Sequence, residues 1–247
     1  MSDTSLRLRG SITLLIICNI LALVLLVTNL TGLYDTVWQA IDTRVFRALN
    51  GTIGPDSALT HFWGWTNSKT FDRTTFVVMM GFCVYLVMST ERPNRIAATA
   101  KIIAIGLLIA IAVGFSKKVL GGFFHPSPGY LLTDYYNVND FITGYTVKTT
   151  TDHSFPGDHA MTSALFAGGV ILLFRGRIYA MAFSVLLIFI VCLPRMAGGG
   201  HWFTDVIVGG GAACLILLPW LVVSPYVAWV ERALSWGWGK VPALIRK

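Results

Sequence analysis

The residues able to do chemistry in this chain are a few ionisable side chains at fixed spacings beside long apolar runs. The stretch Arg195-Met-Ala-Gly-Gly-Gly-His201-Trp-Phe-Thr-Asp205 keeps three of them where a membrane rejects unneeded charge. If His201 opens a helix, Asp205 follows at i+4 on the same face. A carboxylate so placed holds an imidazole in one tautomer and stabilises its positive form, the orienting half of a catalytic triad. Arg195 lies across Gly198-Gly199-Gly200, read as a loop whose backbone can approach a bound group closely. A planar, permanently charged fork there suits a phosphate. A buried pair that merely satisfies its own hydrogen bonds explains His201 and Asp205 equally well at this point.

A second cluster, Ser154-Phe-Pro-Gly-Asp-His159, precedes another apolar run. Pro156 suits a first helical position, and the free N–H groups and dipole of that helix end form an anion site. His159 then falls in the first turn, beside a bound phosphate, and Asp158 reads as an acid favourable with the dipole. The third cluster is Lys117-Lys118, followed after six residues by His125-Pro126. Adjacent lysines at a span end also serve as snorkelling anchors. The proline-rich turn His125-Pro-Ser-Pro128 can aim His125 inward.

The elements that must position these groups are membrane spans. The 247 residues are 55% hydrophobic and only 13% charged, against about 25% charged in water-soluble domains. Apolar runs of roughly 18 residues or more predict transmembrane helices. Six are predicted, at 11–33, 72–90, 96–117, 157–174, 178–194 and 203–223, within one membrane-embedded domain, 1–247, and no soluble one. The first run is too long for a cleaved signal peptide and is read as an uncleaved span. Cys18, Cys83, Cys192 and Cys214 all sit in apolar runs without a metal or redox spacing, so no disulfide is expected.

With both termini cytoplasmic, the inner face carries Arg7, Arg9, Arg92, Arg95, Lys101, Arg175, Arg177, Arg232, Lys240, Arg246 and Lys247 against three acids. The outer face holds 8 basic and 9 acidic residues. The net +7 is therefore a topology signal and no sign of nucleic acid. All five histidines, His61, His125, His153, His159 and His201, fall on the outer side. In the first outer connection, Trp38, Ile41, Val45, Phe46 and Leu49 alternate with Asp42, Arg44 and Arg47 as an amphipathic, interfacial helix. Trp63 and Trp65 read as an interfacial anchor, as do Trp236 and Trp238 at the inner surface. The loop 121–156, with Phe123, Phe124, Tyr130, Tyr135 and Tyr136, is the candidate lid or head-group site.

Together the clusters resemble the type 2 phosphatidic acid phosphatase superfamily, whose pattern is K-x6-R-P, P-S-G-H and S-R-x5-H-x3-D. The third motif is present as Arg195-x5-His201-x3-Asp205, with Pro194 before the arginine. The second reads Pro156-Gly157-Asp158-His159, and the first Lys118-x6-His125-Pro126, with histidine in place of arginine. Within the superfamily, Ser-Phe-Pro-Gly-Asp-His, Pro-Arg-x5-His-Trp-Phe-Thr-Asp, Thr66-Asn67-x3-Phe71-Asp72 and Trp38-x2-Ile41-Asp42-x3-Phe46-x3-Asn50 are similar to the lipid A 1-phosphate phosphotransferases. That likeness runs from about Trp38 to Pro219.

The resemblance implies an all-α integral membrane protein, a six-transmembrane helix bundle with its active site at the periplasmic helix ends, in the bacterial inner membrane. It implies transfer of a phosphate from undecaprenyl diphosphate, the donor, to the 1-phosphate of lipid A, the acceptor. His201 would be the nucleophile, oriented by Asp205, and His159 the acid and base. Lys118, His125, Ser154, Arg195 and backbone N–H groups near Gly157 would bind substrate and stabilise transition-state charge. No cofactor, metal or nucleic acid is implied, and membrane lipids are the surroundings. A phosphatase using water as acceptor has the same motifs. A metalloenzyme built on His153, His159, His201 and Asp205 would leave the lysine and arginine as unexplained repulsive charges. A lipid flippase would need polar groups at mid-membrane depth, whereas these lie at span ends.

Overall fold

The computed structural model describes residues 3–55 and 57–239, with side chains for 12–55 and 57–238. Lys240, Arg246 and Lys247, assigned to the inner face, lie outside the described residues, as do the side chains of Arg7 and Arg9. Among the described residues the fold is helical without strands, and a single parallel bridge joins His125 to His153.

Helices α1 (Asp3–Leu30), α2 (Tyr34–Val37), α3 (Gln39–Asn50), α4 (Ala58–Thr66), α5 (Lys69–Met88) and α6 (Arg95–Phe115) form the first half. α6 runs into a π-turn, Ser116–Leu120. Then come α7 (Pro128–Leu131), α8 (Asp158–Leu173), α9 (Ile178–Ala197), a second π-turn at Asp205–Gly210, α10 (Gly211–Val223) and α11 (Tyr226–Gly239). Among the described residues, five segments are long and apolar enough to cross a membrane: Ile12–Leu30, Lys69–Met88, Arg92–Leu120, Ile178–Ala197 and Asp205–Val223. These correspond to five of the six expected spans. The remaining one, 157–174, is the 16-residue α8, about 24 Å long at 1.5 Å per residue and short of a bilayer core of about 30 Å.

α8 is the centre of the bundle and packs against α6, α9 and α10. Leu165 and Val170 are fully buried, within a core that also takes in Ile105, Leu187 and Leu221. Gly168 and Gly169 permit this crowding: a Cβ at Gly168 would stand 2.2 Å from Leu218 Cδ1, and one at Gly169 2.7 Å from Ile105 Cγ1. α8 and α10 begin, and α6 and α9 end, at the same side of the bundle, which gathers the candidate site there. The opposite side carries Arg92, Arg95, Arg175 and Arg177 in the turns. Arg177 donates to Leu86 O, Ser89 Oγ and Thr90 Oγ1, tying the α8–α9 turn to the end of α5.

α3 is amphipathic, but its buried face differs from the expected one. Asp42, Phe46 and Asn50, at i, i+4 and i+8, point inward, while Ile41 is exposed. The buried carboxylate is stable because it accepts from Thr204 N (2.9 Å), Thr204 Oγ1 (2.6 Å) and Tyr34 OH (2.8 Å). Burial pushes the Asp42 carboxyl upward, and the Thr204 and Tyr34 donors oppose that shift. Trp63 is not an interfacial anchor. It is buried with Ile53, Val138, Ile142, Val147 and Ala197 and donates to Thr52 Oγ1 at 2.8 Å. Trp65, at half exposure, remains at the surface against Phe71.

Candidate active site

Arg195 lies in the last turn of α9, not on the glycine loop. The glycines instead let other backbone close in. Gly199 takes a φ of +87°, and a Cβ there would stand 3.2 Å from both Gly129 N and Thr149 O. Gly199 O accepts from Gly129 N at 2.9 Å. The close approach expected of a ligand is thus made by the loop after α6.

His201 stands just before the helical start at Phe203. Its Nδ1 is 3.2 Å from Asp205 Oδ2, and Trp202 N donates to the same oxygen at 2.8 Å. An acid reaching back to an N–H three residues earlier is half of a capping box, so one carboxylate both starts the helix and orients the imidazole. Asp205 is fully buried and His201 is 20% exposed. With Nδ1 turned to the carboxylate, Nε2 carries the free lone pair. Two contacts fix this assembly. Thr204 is held by Asp42, and Trp202 donates through Nε1 to Pro126 O at 2.8 Å.

His201, His159, Arg195 and Asp158 line one cavity of about 400 Å³ with Lys117, Lys69, Lys148, Asp72 and Asn67. Arg195 donates to Val191 O at 3.0 Å and to Asp72 Oδ1, which leaves the rest of its five donors for a ligand. Asp72 Oδ2 is 3.9 Å from His159 Nε2. Asp158 has Lys117 Nζ at 3.8 Å, a partner that offsets its charge near a bound anion. The arrangement is a cationic cradle around an oriented imidazole and a second histidine, a chemistry suited to phosphoryl transfer.

Three expected substrate-binding residues do not line this cavity. Lys118 is exposed on the π-turn and Lys117 takes the place in the wall. His125 and Ser154 stand behind the catalytic pair. Ser154 Oγ donates to His125 O at 2.8 Å and so accepts from His125 Nδ1 at 3.0 Å. That nitrogen also faces Asp205 Oδ1 at 3.5 Å, an oxygen otherwise buried without a hydrogen bond. His125 therefore faces Asp205 and is not part of the cavity wall. Gly157 packs against the imidazole, a Cβ there standing 3.5 Å from His201 Nδ1. Its N–H is directed at Asp205 O at 3.4 Å, so the anion-facing N–H groups are those of the following turn.

Phe123, Phe124, Tyr130, Tyr135 and Tyr136 do not line the cavity either; the loop contributes Thr146, Val147, Lys148, Thr151 and His153. Among the described residues, no group of three or more His, Cys, Asp or Glu side chains is placed to hold a metal ion.

Residues 134–229 match the PAP2 superfamily. The chain carries a PAP2 superfamily domain. The chain is also 29% identical over 215 residues to the lipid A 1-diphosphate synthase of Escherichia coli K12, covering 85% of this chain and 87% of that protein. The crystal structure of Aquifex aeolicus LpxE covers 72% of this chain and 94% of its own, at 20% identity and a TM-score of 0.45. The protein is a lipid phosphatase or phosphotransferase. The matched PAP2 segment contains His159, Arg195, His201 and Asp205. Lys117, Asp72, Asn67 and Lys69 come from the 133 residues before it, so part of the cavity wall lies outside the matched segment. Of these, Asn67 and Asp72 belong to the Thr66–Asp72 string, but nothing in that string assigns them a role.

Proposed function

We propose that this enzyme moves the terminal phosphate of undecaprenyl diphosphate onto the 1-phosphate of lipid A through a phosphohistidine at His201. The observation that carries the reading is a histidine held through Nδ1 by a buried carboxylate, with Nε2 free toward a cationic cavity between membrane helices. The choice of lipids is supported by the similarity to the Escherichia coli lipid A 1-diphosphate synthase along most of both chains.

In the first half-reaction His201 Nε2 attacks the terminal phosphorus, an N–P bond forms, and the bridging P–O bond breaks. Undecaprenyl phosphate leaves with its oxygen protonated by His159. In the second, an oxygen of the acceptor phosphate gives its proton to His159 and attacks the phosphorus, which frees His201. Asp205 stabilises the imidazolium character of His201 throughout. Arg195 and Lys117 bind the non-bridging oxygens, with Lys69 and Lys148 at the cavity wall for the second anion. The chain is read as six spans in the inner membrane. α8 is the short central one, lined on its flanks by the longer helices, and the cavity faces the periplasm. The asymmetry of basic residues supports a cytoplasmic position for both termini.

The test uses purified full-length protein with undecaprenyl diphosphate labelled in the terminal phosphate, with and without lipid A. Label is expected in a lipid A 1-diphosphate faster than in free phosphate, with an acid-labile phosphoenzyme that His201→Ala abolishes. Free phosphate as the main product, unchanged by saturating lipid A, makes the protein a hydrolase.

A further inference from the structure

Two crevices leave the phosphate cavity on opposite flanks of the α6–α8 pair. One, of about 330 Å³, lies between α1, α6, α8 and α10 and is lined by residues including Leu26, Ile111, Phe115, Met161, Ala213 and Ile216. The other, of about 400 Å³, lies between α5, α6, α8 and α9, with Thr75, Phe76, Met79, Thr162, Leu187 and Val191 among its lining. The first shares Ser116, Leu120, Phe155 and Pro156 with the phosphate cavity. The second shares Asp72, Lys117, Asp158 and His159 with it. Deeper in the bundle α6 and α8 are in direct contact, Ile105 pressing on Gly169. The crevices are therefore separate and meet only at the phosphate site. Both open outward along the apolar helix faces, where Ile111, Phe115 and Phe76 are more than half exposed.

The linings differ in chemistry. Ser116 is the sole hydroxyl of the first crevice, which is otherwise aliphatic and aromatic. The second adds Thr75, Thr162 and Ser163, beside the charged groups it shares with the cavity. A chain made only of hydrocarbon gains from the first and leaves the Thr75 and Thr162 hydroxyls of the second unpaired. A chain with ester, amide or hydroxyl groups near its head group has the opposite preference.

We propose that the crevices seat the chains of two different lipids: the isoprenyl chain of the diphosphate donor between α1, α6, α8 and α10, and an acyl chain of the phosphate acceptor between α5, α6, α8 and α9. The proposal rests on the transfer reading above. It accounts for a single phosphate cavity with two lateral exits, which a hydrolase using water does not need.

The test measures each substrate's kcat/KM in the full-length enzyme in detergent micelles, with undecaprenyl diphosphate and lipid A as the probes. In a two-step exchange, kcat/KM for the donor reports only the first half-reaction and that for the acceptor only the second. Ile111→Trp and Ala213→Phe fill the first crevice; Thr75→Trp and Thr162→Phe fill the second. The first pair is expected to lower kcat/KM for the donor by about tenfold, comparable to losing about two buried methylenes, with the acceptor value within about twofold. The second pair is expected to do the reverse. The value that stays constant reports folding in the same sample, and two variants at each crevice guard against one that fails to fold. Parallel loss for both substrates in variants that retain a cooperative thermal transition, or no change in all four, overturns the proposal. Wild-type enzyme that releases only free phosphate overturns the transfer reading itself, which is a different result.

Discussion

Asp72 tests the site geometry most sharply. Its Oδ1 binds Arg195 and its Oδ2 stands 3.9 Å from His159 Nε2. The Arg195 side chain is 7% exposed, so its fork is set by this contact and by the bond to Val191 O. Asp72→Asn keeps an acceptor of the same size and replaces an ion pair with a bond in which only the arginine is charged. Hydrogen bonds to charged groups contribute about 1.5–3 kcal/mol, the doubly charged pair at the upper end and the singly charged one at the lower. The difference is about 1–1.5 kcal/mol, close to tenfold in rate. The same change removes a negative charge from a cavity that binds anions, which strengthens ground-state binding. The expected signature is therefore split: kcat falls about tenfold, while competitive inhibition by inorganic phosphate is unchanged or tighter. Steady-state kinetics of the purified enzyme read both quantities. A merely structural role weakens both together. A folded Asp72→Asn enzyme with kcat within about twofold of wild type refutes the claim that Asp72 sets Arg195 and His159.

Lys117→Ala is expected to lower kcat/KM about 10- to 100-fold through one lost charged contact to the phosphate, with Lys118→Ala within about twofold; the reversed ranking would return the cradle to Lys118. Asp205→Asn should cost about 10³–10⁴ in kcat, the size of the equivalent change in serine-protease triads, with the thermal transition retained, and a loss under tenfold would separate Asp205 from the tautomer of His201. For topology, single cysteines replacing Tyr130 and Arg175 in a cysteine-free chain should label from opposite sides: a membrane-impermeant maleimide reaches position 130 from the periplasm and position 175 only after the membrane is opened. Labelling in the reverse order would invert the orientation.

Much of the candidate site was legible because it is local. His201 and Asp205 are four residues apart, and Arg195 is six before the histidine, so helical geometry alone brings the first pair together. His159 was legible from its place at a helix start after Pro156. What the sequence left out is non-local. Asp72 meets Arg195 across 123 positions, and Asp42 meets Thr204 across 162. Asp42 reads as a charge on an amphipathic surface, and Asp72 only as a member of the Thr66–Asp72 string. Their pairing depends on donors supplied by distant segments, which periodicity does not record. Lys118 stands outside the cavity wall for a local reason. A π-turn holds an extra residue, so a phase carried on from α6 is displaced at Ser116–Leu120 and the neighbouring lysine faces the cavity. His125 shows how spacing and role can part. It keeps the position of the motif's arginine, but the bridge to His153 and the bond to Ser154 turn it toward Asp205. An imidazole is short enough to stand behind the carboxylate, and the cationic task at the phosphate then falls to Arg195 with the lysines of α5, the π-turn and the 146–151 segment. The cradle is thus assembled from four separate parts of the chain, and only the nucleophile and its carboxylate are written in one of them.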